Sequence, residues 1–312
     1  MGKTPIELGK SYASMTTTEK FWHLNDCCKI KSQENLLEML KTSKHLIDAL
    51  YMPNDLKRTD GPQQTRIRDK IFERVSFSKT HISGFIFRNC IFKNCLFIGT
   101  AIGNCEFHNC KFVLTNTHKI KISGTYIDPN SFNKCLDQSK HQNIGVHLYQ
   151  ILLDNSRGTR QIEFERDAQF LFLRWKRFQE WYEIQNWPEQ EARVSRQFVL
   201  KCLAYTRRLA WEKLFGSGLR VRYFFGTVTF AIALFSTLNY QLRDNFGLMR
   251  QGEPVSSCLE TIYYTIISFT TLGYGDIVPT TSMGQFVASA QSLIGFSLLA
   301  LFASMCFRKI SP

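Results

Sequence analysis

The chain has 312 residues, 44% of them hydrophobic, and a formal net charge of +13; that length suggests two or three domains. The charge is unevenly placed. Residues 223–312 carry Arg243, Arg250, Arg308 and Lys309 against Asp244, Glu253, Glu260 and Asp276, so the whole positive excess lies before residue 223. No nucleophile–base pair, phosphate-binding loop or metal-ligand spacing is readable, so catalysis, a cofactor and a resident metal site are not expected.

Residues 1–62 read as a polar segment that starts with no apolar signal run. One helical pattern lies within it, with Leu36, Leu37, Leu40, Leu46, Ile47, Leu50 and Tyr51 between Asn35 and Met52. Thr59-Asp60-Gly61-Pro62 closes the segment with turn chemistry.

From residue 63 to 136 the pattern changes. Large apolar residues recur every five positions, at Ile67, Phe72, Phe77, Ile82, Phe87, Phe92, Phe97, Ile102, Phe107, Phe112, Ile122, Ile127 and Phe132, with Thr117 alone breaking the series. Two residues ahead of each runs a second set that includes Val75, Thr80, Phe85, Cys90, Cys95, Thr100, Cys105, Cys110 and Thr115. Neither the strand period of 2 nor the helix period of 3.6 yields a repeat of five. A coil with four five-residue sides does, and it places both sets in one narrow core column. The segment resembles the pentapeptide-repeat family, which implies a right-handed parallel β-helix that needs capped ends.

The cysteines in phase with that repeat read as small core residues, since C-x₄-C-x₉-C-x₄-C is no zinc-finger spacing. Some members of that family mimic DNA. Mimicry needs dense negative charge, and residues 65–134 hold eleven Lys/Arg and four Asp/Glu. Nucleic-acid binding is not expected either, for no aromatic is placed to stack on bases; attraction to anionic lipid is the simpler reading of the charge.

Residues 137–219 read as helical. A first helix lies near Val146–Leu153, and Asn155-Ser156-Arg157-Gly158 turns the chain. Phe164, Ala168, Leu171, Trp175, Phe178 and Tyr182 mark one face of a second helix that Trp187-Pro188 ends. A third, over Glu191–Phe215, mixes large apolar residues with a basic cluster. The membrane-proximal cations Arg207, Arg208, Lys213, Arg220 and Arg222 suit a helix against an anionic inner leaflet. Gly216-Ser217-Gly218 joins this helix to the C-terminal segment.

Residues 220–312 hold two uncharged runs, 20 residues from Tyr223 to Leu242 and 31 from Ile277 to Phe307. Each contains one helix long enough to span a bilayer: an outer helix over 222–242 and an inner helix over 282–307. Between them a shorter apolar run predicts a half-helix over 256–270, opened by the capping box Ser257-Cys258-Leu259-Glu260. It ends at Thr270-Thr271-Leu272-Gly273-Tyr274-Gly275-Asp276. Successive carbonyls can face one axis only if alternate residues take φ > 0, which glycine does without steric cost at Gly273 and Gly275. A half-helix aims its partly negative C-terminus at the ion path, which favours a cation. Basic residues before the outer helix and after the inner one put both chain ends in the cytoplasm, where thiols stay reduced.

The stretch Thr271–Gly275 resembles the selectivity filter of two-helix potassium channels, with Leu272 in place of the usual Val. The resemblance implies K⁺ as permeant ion and a homotetramer. It implies ion-binding oxygens from Thr271, Leu272, Gly273, Tyr274 and Gly275, with Leu272 and Tyr274 packed behind the filter. Thr270, Asp276 and the aromatic pair Tyr263–Tyr264 support it, and Gly295 is a candidate gating hinge, or else a close-packing site. Ile267 replaces a carboxylate that some relatives carry. The expected fold is a multidomain membrane protein of the bacterial inner membrane: cytoplasmic β-helix, helical linker hairpin and two-helix pore, open to regulation by an unknown cytoplasmic factor. A poorly selective cation channel and a membrane-tethered scaffold with a vestigial pore are the alternatives; the intact filter argues against the second.

Overall fold

The computed structural model describes residues 27–58, 66–187 and 196–310. Residues 1–26, the turn at Thr59–Pro62, Pro188 and the first residues of the basic segment lie outside the described residues. The chain divides into two compact units, Met1–Tyr205 and Thr206–Pro312.

The first unit is a β-solenoid of about five turns followed by a helical hairpin. Its short strands stack in parallel ladders. One runs through Cys28–Ile30, His45–Tyr51, Ile71–Ser76, Ile91–Lys93 and Lys111–Val113. A second runs through Asp55–Lys57, His81–Ser83, Ala101–Gly103 and Lys121–Ser123, and a third through Arg66–Arg68, Ile86–Arg88, Glu106–His108 and Tyr126–Ile127. Single bridges from Ser76 to Leu96 to Asn116 mark a fourth side. Phe72 pairs with Phe92 and Phe92 with Phe112, one coil apart, as are Asn89 and Asn109, 20 residues away from each other.

Inside, Phe72, Phe92, Phe112 and Phe132 stack face to face at centroid separations of 4.8, 4.8 and 4.3 Å. The second column is a row of small donors. Cys95 Sγ donates to the Phe72 carbonyl (3.3 Å) and Cys110 Sγ to that of Phe87 (3.6 Å). Thr100 and Thr115 hydroxyls donate to Phe77 and Phe92 (2.7 and 3.1 Å). Cys and Thr share this column because each supplies one donor to the preceding coil in little volume. Burial pushes the Cys95 and Cys135 thiols up to about 12, and no group of three metal-ligating side chains occurs among the described residues. A third phase of the repeat emerges only in the structure. At Asp69, Arg74, Lys79, Gly84, Asn89, Asn94, Gly99, Asn104, Asn109, Leu114, Lys119 and Gly124, each in the same phase of the repeat, φ is positive and the coil turns a corner. Asn and Asp tolerate that conformation better than other side chains, and here they form a ladder, Asn109 to Asn89 to Asp69, with 3.0 Å bonds.

The helical pattern expected between Asn35 and Met52 is half right. Helix α1 (Gln33–Thr42) is capped by Ser32 and buries Leu36 and Leu40, but His45–Tyr51 is a strand paired with Ile71–Ser76. Ser43 breaks the helix by bonding the backbone of His45 in both directions. The boundary expected at residue 62/63 therefore falls inside the sheet stack, and α1 lays its leucines over the open end of the column with Leu56 and Ile67.

The other end is closed by α2 (Gln142–Gly158) and α3 (Ile162–Gln185). The buried Asn155 amide accepts from Thr125 N (3.0 Å) and donates to Thr125 O (2.7 Å), doing what a further coil would do. Asn155–Gly158, expected as a turn, is thus helical; the turn lies at Thr159-Arg160, where Arg160 has φ 55°. Tyr126 meets Phe164 at 5.1 Å, so the boundary expected at 136/137 separates parts that pack together. Along the seam a Cβ on Gly145 would collide with the Trp175 ring.

Helix α4 (Arg196–Phe215) leads to Gly216, Ser217 and Gly218, which all have positive φ. In the second unit α5 (Val221–Gln241) precedes the short α6 (Arg243–Phe246). A half-helix, α7 (Cys258–Phe269), and the long α8 (Ser282–Ile310) complete it. Val221–Gln241 and Ser282–Phe307 are long and apolar enough to cross a membrane. Around α7 lies a three-stranded antiparallel sheet, the turret sheet. In it Leu248–Arg250 pairs with both Glu253–Pro254 and Ile277–Pro279.

Candidate functional site

The site is the stretch that leaves α7. Its helix starts where the sequence indicates, with Ser257 Oγ accepting from Leu259 N (3.3 Å). The second half of the capping box does not form: Glu260 turns instead to Arg250 at 2.7 Å, tying the half-helix to the turret sheet. At the other end Thr270 N bonds Ile266 O (2.9 Å), Thr271 N bonds Ser268 O (3.2 Å) and Leu272 N returns to Ile267 O (3.0 Å). This wrap needs a left-handed residue just past the helix, and Thr271 takes it with φ 56°. The sequence pattern points to positive φ at the glycines only.

Gly273 (φ 52°) and Gly275 (φ 74°) come next, so the left-handed conformation recurs at every second residue from 271 to 275. A Cβ on either glycine would meet nothing within 4 Å; what a side chain would cost there is conformational. Leu272 and Tyr274, expected to pack behind the filter, are 61% and 69% exposed. Within one chain nothing covers them.

The expected supports separate into two kinds. Tyr264 is buried in the chain's own core with Phe246, Leu248, Val255 and Ile277. Tyr263 is partly exposed. Within one chain the two tyrosines thus differ in burial. Asp276 Oδ1 is buried without a hydrogen-bond partner among the described residues. Thr270 Oγ1 bonds back to Ile266 O (2.9 Å) and Thr271 Oγ1 to Thr270 O (2.7 Å). Ile267 is buried.

One feature of the site was missed in the sequence. Asn239 on α5 donates to Thr265 Oγ1 of α7 (3.0 Å) and to Gln291 Oε1 of α8 (3.1 Å), and Gln291 Nε2 donates to Thr265 O (2.9 Å). All three residues are buried. The triad bonds the half-helix to both long helices; uncharged polar side chains inside apolar runs were the available signal.

Helix α8 runs unbroken through Gly295. A Cβ there would run into the Phe269 carbonyl at the end of α7. The structure thus supplies a packing reason for this glycine, the close approach of α8 to the base of the site. Arg207, Arg208 and Lys213 are exposed on α4, and Arg222, exposed at the start of α5, lies over the Tyr223 ring at 5.1 Å.

Known proteins resemble part of this chain in sequence. Over 75 residues, 24% of this chain, the potassium voltage-gated channel protein Shal of Drosophila melanogaster is 36% identical, and 12% of it is covered. The human voltage-gated potassium channel regulatory subunit KCNG1 is 33% identical over 81 residues, 26% of this chain and 15% of its own length. The mouse delayed-rectifier potassium channel regulatory subunit KCNS2 is 28% identical over 112 residues, with 36% and 21% covered. The chain thus spans a small part of these relatives. Residues 222–311, the segment that holds α5, the half-helix, the candidate filter and α8, match the family described as ion channel, Ion_trans_2.

Proposed function

We propose that this chain is one subunit of a homotetrameric, K⁺-selective channel, set in a bacterial inner membrane with both chain ends in the cytoplasm and regulated through its solenoid, read as a pentapeptide-repeat β-helix. The observation that carries the reading is the left-handed conformation at Thr271, Gly273 and Gly275, directly after a half-helix of 12 residues. Backbone that alternates in this way can line an axis with carbonyls, and a ring of such segments replaces the hydration shell of K⁺. The exposure of Leu272 and Tyr274 supports assembly, because neighbouring copies of α7 would cover them. The basic residues of α4 support the orientation.

Purified full-length protein in vesicles should pass K⁺ in preference to Na⁺, and cross-linking in mild detergent should end at four subunits. Gly275→Ala should abolish K⁺ flux with assembly intact, since alanine resists the left-handed conformation. Unchanged K⁺-over-Na⁺ selectivity in that variant would refute the assignment. Two of the relatives above are named regulatory subunits, and this motivates a second reading, a subunit that conducts only beside another chain. Absence of flux from the pure protein, restored by a co-expressed channel subunit, would favour it.

A further inference from the structure

Lys213 and Leu214, at the end of α4, face Arg222, Tyr223, Gly226 and Phe230 of α5 across a shallow groove of about 400 Å³. The two helices are held together here, for the Thr227 hydroxyl donates to the Leu214 carbonyl. The groove is polar at one end only. Neither Lys213 nor Arg222 has an ion-pair partner among the described residues. Arg222 stands at the start of the membrane-spanning helix, and Phe230 lies about 12 Å further along its axis. In the middle Gly226 leaves the floor open, with nothing within 4 Å of the place a Cβ would take. The walls there are apolar and Phe230 is exposed.

Two unpaired cations at the membrane surface, continued inward by an apolar trough, match the order of groups along a phospholipid. A zwitterionic headgroup would bring its own cation close to Lys213 and Arg222; an anionic one would not. We infer that the groove between α4 and α5 binds one anionic phospholipid, its phosphate held by Lys213 and Arg222 and one acyl chain lying over Gly226 against Phe230. The inference rests on α5 crossing the bilayer, as the proposed function requires, but not on ion conduction.

The test is native mass spectrometry of the full-length protein released from an uncharged detergent, titrated with phosphatidylglycerol or with phosphatidylcholine of the same chains. Wild type should retain phosphatidylglycerol preferentially. A cation near an anionic lipid headgroup strengthens binding by about fivefold, so Lys213→Gln with Arg222→Gln should weaken retention about 25-fold, while Arg222→Lys keeps the preference. Gly226→Leu puts a side chain into the trough, where its Cβ meets nothing within 4 Å, and should abolish retention of both lipids. An unchanged preference in the double variant overturns the site. So does equally tight binding of glycerol phosphate, which would leave the acyl chain no part in it. Loss of K⁺ flux with lipid preference intact would instead count against the proposed function alone.

Discussion

The two units solve the same problem, the covering of apolar side chains, in opposite ways. In the solenoid each phenylalanine is covered by the one a coil away, and the columns are closed at their ends by α1 and by the α2–α3 hairpin. The unit is complete within one chain. In the second unit Leu272, Tyr274, Phe286, Leu293 and Phe296 are exposed, and α7 contacts its own chain on one side only. What this chain buries there is two small apolar clusters, around Tyr264 and around Phe269, and a specific polar set: the Asn239–Thr265–Gln291 triad, and the carbonyl of Phe269 against Gly295. The difference teaches where each unit finds its stability. Stacked rings and coil-to-coil hydrogen bonds close the solenoid on itself, whereas the second unit ties its helices together through the buried triad and leaves apolar side chains exposed, which a bilayer and neighbouring copies would cover under the proposed function.

Phe92→Ala tests the solenoid half with the largest expected effect. Phe92 stacks on both Phe72 and Phe112, so its loss should cost about 3–5 kcal/mol. Hydrogen exchange should show that loss across residues 66–135 with α7 and α8 unchanged. Lost protection in α8 as well would mean that the two units are not energetically separate. On the other side, Asn239→Leu leaves the buried Gln291 Oε1 without its donor, at a cost of about 1–3 kcal/mol. Exchange should rise in α7 and at the filter while the solenoid stays protected. Unchanged exchange in α7 would show that the triad does not hold the half-helix.

Legibility in the sequence depends on how far apart the determining residues lie. The period of five needs only local comparison, and the solenoid, its narrow core and the place of its cysteines all come from it. Its ends do not, because capping is a contact between unlike segments. Nothing local marks Asn155 as the partner of Thr125. Leu46 and Leu50 keep the spacing that Leu36 and Leu40 begin, so a helical wheel does not see the break at Ser43. In the second unit the candidate filter is a contiguous motif, and both long helices were legible to within a few residues. The positive φ of Thr271 was not, since it comes from the way α7 ends. Glu260 departs from its expected capping role because Arg250, ten residues before it, offers a charge that the Ser257 amide does not. For Gly295 the sequence allows hinge or packing, and only the position of Phe269 supplies the packing contact.

The smallest effect at neutral pH belongs to the thiol column. If Cys95 is a compact donor and nothing more, Cys95→Ala should cost about 1 kcal/mol and leave ion flux unaltered. Its pH dependence is more telling. Burial holds Cys95 and Cys135 protonated to about pH 12, while the unfolded chain loses those protons near about pH 8.5. A raised thiol pKa stabilises the folded form fully below the unfolded value, and that contribution is lost as pH climbs toward the folded one. Solenoid stability should therefore be flat to about pH 8 and fall above about pH 9, by about 1.4 kcal/mol per pH unit for each such thiol. Cys95→Ala should reduce that slope by one thiol's share. At about pH 8, below that fall, iodoacetamide should modify the exposed Cys28 and Cys258, with Cys95 and Cys135 protected until the solenoid unfolds. Rapid modification of Cys95 in the folded protein would instead make the column a reactive site and end its reading as core.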